Sequence, residues 1–367
     1  MKGLANRYYN NREDFLVERT KIFAPMWVCI GFASDVPVPG YVYPMEFMEL
    51  PLVVVRDHDN VVRVFHNVCR HRGHVLVSKS GQLDSSLRCP YHSWTYAFNG
   101  SLIRTPHIGG LGIHEIATFN RNQAGLISID CHIWNDLLFV NFDGSADSFA
   151  SFIQPLEERW TRLWGVGGSN ELRPHTKDQS ICFDIDVNWK LAVENYLEAY
   201  HLPTVHAELN RVSPMEEHEI EVWEQFAGQV SYSYEFRQGD HGHLPIFSEW
   251  PSSCLKEAHY PVLFPNTLLG LQADHLFVMV VIPTHFNQVR EETRLYFVGD
   301  ESLQPKYKIL RQEQAVFWGR VFEEDKSVVR GMQKGRASLG FDGGILSPIQ
   351  DRATQAFHRW ISDRLDI

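Results

Sequence analysis

The sequence predicts an α+β chain of two domains, an N-terminal all-β domain followed by one in which helices and strands mix. Three observations carry this expectation. The chain has 367 residues, more than one hydrophobic core usually serves. Its first third is a series of short apolar runs separated by turn residues. Past a glycine-rich connector, the pattern changes to long helical stretches and long apolar runs.

In the first domain, residues 50–55 and 61–65 are strand-like and flank Asp57-His58-Asp59-Asn60, a joint suited to a hairpin. Asn99-Gly100 follows the strand-like residues 93–98 and marks a second hairpin, since both residue types tolerate positive φ. The strand-rich core spans about residues 40–142. Trp164-Gly165-Val166-Gly167-Gly168-Ser169-Asn170 is the connector, which places the boundary between 1–162 and 163–367. In the second domain, residues 188–201 are expected as helix, 268–283 and 292–298 as strands, and 305–334 as a long helix.

Composition narrows the function. Hydrophobic residues make up 44% and charged residues 22%, ordinary for a folded globular protein. The formal charge of −11 argues against nucleic acid or an anionic membrane surface as partner. The first residues lack an apolar signal core, and no run of about 18 apolar residues is present to span a bilayer. A cytoplasmic protein is expected, and its acidity alone identifies no ligand. Six cysteines are too sparse for a disulfide framework, so a pair of them is better placed on a metal.

Cys69-Arg70-His71 and, seventeen residues on, Cys89-Pro90-Tyr91-His92 form the pattern C-x-H…C-x-x-H. Zinc fingers pair cysteine with cysteine before a later histidine pair, so this spacing fits them poorly. One thiolate and one imidazole from each loop suit a cluster of two unlike irons, as in a Rieske centre.

The second dense region runs from Asn188 to His206. Glu194, Glu198 and His201 are spaced i, i+4, i+7, one face of a helix. Pro203 is expected to end that helix, letting His206 turn back toward His201 so that both share one metal. Two histidines and one carboxylate would leave open positions on an iron(II) for O₂. Far downstream, Asp325 shares a helical face with the apolar residues Phe317, Val321, Val328 and Met332, whereas Glu323 points away. An isolated carboxylate there is costly, and a metal would resolve the cost. Periodicity leaves Glu324 as a rival.

Cys69-Arg70-His71-Arg72-Gly73 with Cys89-Pro90-Tyr91-His92-Ser93-Trp94, together with residues 188–206 and 322–335, resembles the oxygenase (alpha) component of the Rieske-type non-haem iron oxygenases. The family usually has Gly where Ser93 stands. The resemblance implies a Rieske β domain followed by a helix-grip catalytic domain with a central antiparallel sheet. It implies a [2Fe–2S] cluster on Cys69, His71, Cys89 and His92, and a mononuclear Fe(II) on His201, His206 and Asp325. Glu198 falls on the carboxylate that bridges to a cluster histidine of a neighbouring subunit, with Asn195 as a nearby polar support. A homotrimer with head-to-tail electron transfer is implied, as is a separate flavin/iron-sulfur reductase, since the chain has no nicotinamide signature of its own.

The implied reaction is O₂-dependent hydroxylation or oxidative demethylation. Glu at position 198, where ring-hydroxylating members usually carry Asp, resembles the branch acting on betaine-, choline- or carnitine-like quaternary ammonium compounds. Such a substrate calls for aromatic side chains around its cation; Tyr196, Tyr200, Trp250, Tyr260, Phe264 and Phe277 are available, and none is singled out. An aromatic-ring-hydroxylating or aryl-demethylating oxygenase is the alternative. From another class comes a Rieske electron carrier with an inactive second site.

Overall fold

The computed structural model of the chain describes residues 2–174, 180–240 and 242–367. It divides into two units: Ala24–Ala146 is one, and Met1–Phe23 joins Asp147–Ile367 in the other. The expected division at 162/163 differs from this in two ways. Helix α3 (Phe149–Trp164) belongs with the second unit, and so does the N-terminal segment, helices α1 (Arg7–Asn10) and α2 (Arg12–Glu18). The reason is polar burial. Glu18, fully buried, accepts from the Lys190 ammonium at 2.6 Å and the Trp189 indole at 2.8 Å. Tyr9 donates to Glu194 at 2.5 Å. A buried charge left without its partner costs several kcal/mol, so the segment stays with the residues that neutralise it.

The unit Ala24–Ala146 is all β, as expected. Its strands are β1 (Val28–Phe32), β2 (Tyr41–Phe47), β3 (Leu50–Arg56), β4 (Val62–His66) and β5 (Gly81–Gln82). After them come β6 (Leu87–Arg88), β7 (Thr95–Tyr96), β8 (Leu102–Arg104), β9 (Ser128–Trp134) and β10 (Leu137–Asn141). Among the described residues one sheet runs β1-β10-β9-β4-β3-β2-β5 and a small one β6-β7-β8. The Asp57–Asn60 joint folds as read: the Asp57 carboxylate accepts from the Asp59 and Val61 N–H groups, at 3.0 and 2.9 Å, and Asn60 takes φ 64°. Cys69 and Cys89 sit in the core between the sheets, with Val42, Val53, Phe65 and Tyr96.

In the other unit an antiparallel sheet is built from β11 (Leu172–Pro174), β12 (Ile181–Ile185), β13 (His218–Val222) and β14 (Phe226–Ser231). It continues with β15 (Ala258–Leu263), β16 (Thr267–Gln272), β17 (His275–His285) and β18 (Gln288–Val298). Strand order among the described residues is β11-β18-β17-β16-β15-β14-β13, with β12 also on β18. β14, β15 and β16 are buried along their whole length, so both faces are covered. The expected strand 268–283 is instead two, since the chain reverses at Ala273-Asp274 to make the β16–β17 hairpin.

Short helices follow β12: α4 (Trp189–Tyr196), α5 (Leu202–Val205) and α6 (Ala207–Val212). The 28-residue α7 (Lys308–Gly335) lays Trp318 and Phe322 against Phe277 of β17, with ring centroids 4.3 and 5.4 Å apart, and α8 (Arg352–Leu365) follows it. The helix expected over 188–201 stops at Tyr196. Glu198 turns its carboxylate onto the His201 N–H at 3.1 Å, a local bond that competes with helix continuation. Pro203 then opens α5 rather than closing α4, as suits a residue whose missing N–H costs nothing in a first turn. Glu194 therefore shares no face with Glu198 and His201. It is buried among Tyr9, Arg336 and His358. No helix among the described residues is long and apolar enough to cross a membrane.

Candidate metal centres

Two loops of the β unit present the first donor set, and they are built alike. The Cys69 N–H donates to the His74 carbonyl and the Cys89 N–H to the Trp94 carbonyl, both at 2.8 Å. The Gly73 and Ser93 N–H groups close back on the Cys69 and Cys89 carbonyls at 3.0 Å. Each loop needs a left-handed residue at its fifth position: Gly73 has φ 74°, Ser93 has φ 59°. That is why glycine suits position 93 and why serine there is strained by its Cβ.

The cysteines lie inside, 2% and 1% exposed, with the imidazoles outward of them. The His71 and His92 rings are 4.6 Å apart, and His71 stacks on Trp94 at 4.7 Å. Buried Nδ1 of His92 has no hydrogen-bond partner. A buried donor or acceptor without a partner is costly, and a metal on this nitrogen removes the cost. Two thiols within, two imidazoles without and one orphaned nitrogen fit a [2Fe–2S] cluster.

Tyr96 completes the site. Its hydroxyl accepts from the Arg70 N–H at 3.0 Å and donates to Cys69 Sγ at 3.3 Å. A hydrogen bond to a cluster sulfur favours the reduced, more negative state. Tyr96→Phe is expected to lower the reduction potential by roughly 40 mV, the equivalent of about 1 kcal/mol for one electron. Redox titration followed by absorption checks this.

The second donor set lies in the other unit. One nitrogen each of His201 and His206 and one oxygen of Asp325 all fall within 4.8 Å of one another. His206 Nε2 is 2.9 Å and His201 Nε2 3.7 Å from Asp325 Oδ1. The outer nitrogens are held by carboxylates: His201 Nδ1 by Glu198 at 2.7 Å, His206 Nδ1 by Glu324 at 2.8 Å. A carboxylate on the far nitrogen sets the tautomer and aims the other nitrogen at a metal. Burial lowers the His206 pKa, but Asp325 and Glu324 outweigh it and the net shift is upward. Asp325 is thus the carboxylate among the three, and Glu324, its rival in the sequence, faces the opposite edge of His206.

A small cavity opens beside this trio. Its walls include Asn195, Tyr196, Tyr260, Phe277 and Trp318. Tyr200 is 59% exposed, and Trp250 and Phe264 pack elsewhere. On the other side of Asn195 and Asp325 a second hollow contains Glu291. Burial, then the charge of Asp325, pushes the Glu291 carboxyl up to about 8 from 4.5. Between those values the folded chain keeps a proton that the unfolded chain has released, so stability falls as pH rises through this window. Glu291→Gln is expected to raise Tm over the parent by an amount that grows from pH 5 to pH 8, about 2–4 °C for each kcal/mol recovered. Thermal denaturation at the two pH values checks it.

Comparison with known proteins agrees with this geometry. Residues 26–119 match the Rieske [2Fe-2S] domain, and residues 166–367 match the ring hydroxylating alpha subunit (catalytic domain). The chain belongs to the Rieske non-haem iron oxygenases. The carnitine monooxygenase oxygenase subunit of Acinetobacter baumannii is 25% identical to this oxygenase over 338 residues, 92% of this chain and 85% of that one. A quaternary ammonium Rieske monooxygenase, CntA, solved with L-carnitine, superposes with a TM-score of 0.77 at 22% identity, covering 99% and 95% of the two chains. Naphthalene 1,2-dioxygenase with indole bound also reaches 0.77, at 18% identity over 100% and 92%. Fold similarity does not separate these two.

The oxygenase thus carries a Rieske [2Fe–2S] domain and a non-haem iron catalytic domain. Tyr96, Glu324 and Glu291 escaped the sequence reading as partners of these centres. Glu324 could have been found, because a carboxylate adjacent to a ligand on a helix is well placed to meet a ligand's far edge. Nothing local marks Tyr96 or Glu291.

Proposed function

We propose that this oxygenase hydroxylates or oxidatively demethylates a small quaternary ammonium compound. The observation that carries the oxygenase reading is the trio itself, with both far nitrogens held by carboxylates and an aromatic-walled cavity alongside. Cys69 and Cys89 would hold one cluster iron, His71 and His92 the other; His201, His206 and Asp325 would hold Fe(II). When bound, the cluster relays single electrons and the iron(II), with open positions, activates O₂.

The chain's own residues do the rest. Glu198 and Glu324 hold the imidazoles in register. Tyr260, Phe277 and Trp318 exclude water and present ring faces to an N-methyl cation, and Asn195 offers the cavity a polar edge. In balance, the substrate, O₂, two electrons and two protons give a hydroxylated product and water, and an N-hydroxymethyl product would shed formaldehyde. The electrons would come from a separate flavin/iron-sulfur reductase in the cytoplasm. We place the chain in a homotrimer, where Glu198 would bridge by hydrogen bonds between a neighbour's cluster histidine and His201. Glu198 and the curated relatives favour the quaternary ammonium substrate; the equal superposition on naphthalene 1,2-dioxygenase keeps an aromatic substrate as the second reading.

The test is chemical reduction of the purified protein and exposure to O₂ with choline, betaines, carnitine analogues and aromatic acids, with products read by mass spectrometry. Oxygenated or demethylated product from a trimethylammonium compound is expected. Product from aromatics alone overturns the substrate assignment. A protein that binds only the cluster irons and forms no product is an electron carrier instead.

A further inference from the structure

Two cavities of the catalytic unit meet at one pair of side chains. The inner cavity, beside Asp325, has His218 and Gln229 in its wall. The outer one, between Ala199, Ile220, Ile349 and Arg352, is bounded by the same two residues. Outer space is about 440 Å³ against about 50 Å³ within. Ile349 is 70% exposed, and Arg352 is exposed too, so the outer cavity opens to solvent. Between the two stands one hydrogen bond, His218 Nδ1 donating to Gln229 Oε1 at 2.7 Å.

His218 on β13 and Gln229 on β14 are diagonal neighbours in a fixed register, in which His218 faces Ser231 and Ile220 faces Gln229. The backbone between the two cavities is therefore committed to the sheet, so a passage between them requires the His218 and Gln229 side chains to rotate out of their hydrogen bonds. The His218 ring lies parallel to Tyr260 at 6.0 Å, and its Nε2 is 2.9 Å from the Ser213 hydroxyl. Gln229 keeps a second, longer bond to the Tyr196 carbonyl, 3.3 Å. Burial lowers the His218 pKa, leaving a neutral ring whose displacement separates no charges.

We propose that the outer cavity is the vestibule of the substrate route and that His218 with Gln229 is its door, setting the entry rate and the girth of the molecule admitted. This rests on the inner cavity being the substrate site. A door and a binding wall differ in kinetics. Moving a door changes association and dissociation together and leaves Kd in place, whereas altering a wall changes Kd.

The experiment is stopped-flow binding to the iron-loaded protein, followed by tryptophan fluorescence, because Trp318 lines the inner cavity. Choline is the first probe and toluene the second. His218→Ala is expected to raise both rate constants about tenfold and to admit benzyltrimethylammonium. Ile220→Phe, which narrows the vestibule without touching the inner cavity, should lower both about tenfold. Kd should stay within about twofold in Ile220→Phe, whose side chain lines only the vestibule. Rates unchanged in both variants, or a change confined to Kd, overturn the door. If His218→Ala fails to fold, Ile220→Phe decides alone. Binding of toluene but not choline would sink the quaternary ammonium reading and leave the door to be judged on toluene; binding of neither overturns the inner cavity as the substrate site, and the door with it.

Discussion

Replacing Asp325 with Ala is expected to release the mononuclear iron while both irons of the [2Fe–2S] cluster stay in place. Product formation should fall more than about a hundredfold, beyond the 10- to 100-fold typical of an outer partner of a ligand. Asp325 supplies the negative charge of the trio, and its Oδ1 is the point on which both Nε2 atoms converge. Alanine leaves two imidazoles, too few donors for a stable iron(II) site. Glu324 cannot take over from where it stands, because its carboxylate is engaged at the opposite nitrogen of His206. Glu324→Ala is the informative contrast. It frees the His206 ring without removing a donor, so iron should bind 10- to 100-fold more weakly and activity should return with excess iron(II). Iron analysis beside the Rieske absorption separates the cases. Equal losses in both variants would mean that the ligand has been misassigned.

Glu198→Gln should produce the opposite dissociation, with metals kept and turnover lost. Both oxygens of Glu198 serve His201, one at Nδ1 and one at the backbone N–H. Glutamine retains one carbonyl acceptor, so the ring keeps its aim and the iron stays. The negative charge disappears, and with it the strong partner that an electron crossing to His201 requires in the proposed trimer. Steady-state turnover should fall about a hundredfold. Reoxidation of the reduced cluster by O₂ in the presence of substrate should slow with it. Reoxidation at the parental rate would remove Glu198 from the electron route.

How far the sequence reached depended on the range of the forces involved. The cysteine and histidine loops were legible because their geometry is local: each closes on itself through bonds five residues apart, and a left-handed fifth position explains the family's preference for glycine at position 93. Asp325 was matched through the resemblance of residues 322–335 to the family, while periodicity alone left Glu324 a rival. The helix over 188–201 was overdrawn because periodicity takes no account of a side chain that captures its own backbone, as Glu198 does. Residues 268–283 read as one strand because Ala273-Asp274 is a weak turn signal inside a wholly apolar run. Glu18 with Lys190, and Tyr9 with Glu194, pair across more than 170 residues. No spacing rule reaches that far, which is also why the N-terminal segment was assigned to the wrong unit.

That assignment bears on how the two halves can be exchanged. The β unit is an insertion, since the chain starts in the catalytic unit, leaves it after Phe23 and returns at Asp147. A chimera that grafts another cluster domain at a single junction would carry off the helices that neutralise Lys190. Two junctions, near 23/24 and 146/147, would spare them. During synthesis the β unit can close as soon as it emerges, whereas Tyr9 and Glu18 must wait for a partner strand of chain not yet made. The half that would hold the cluster is therefore complete in sequence before the half that would hold the iron has been made.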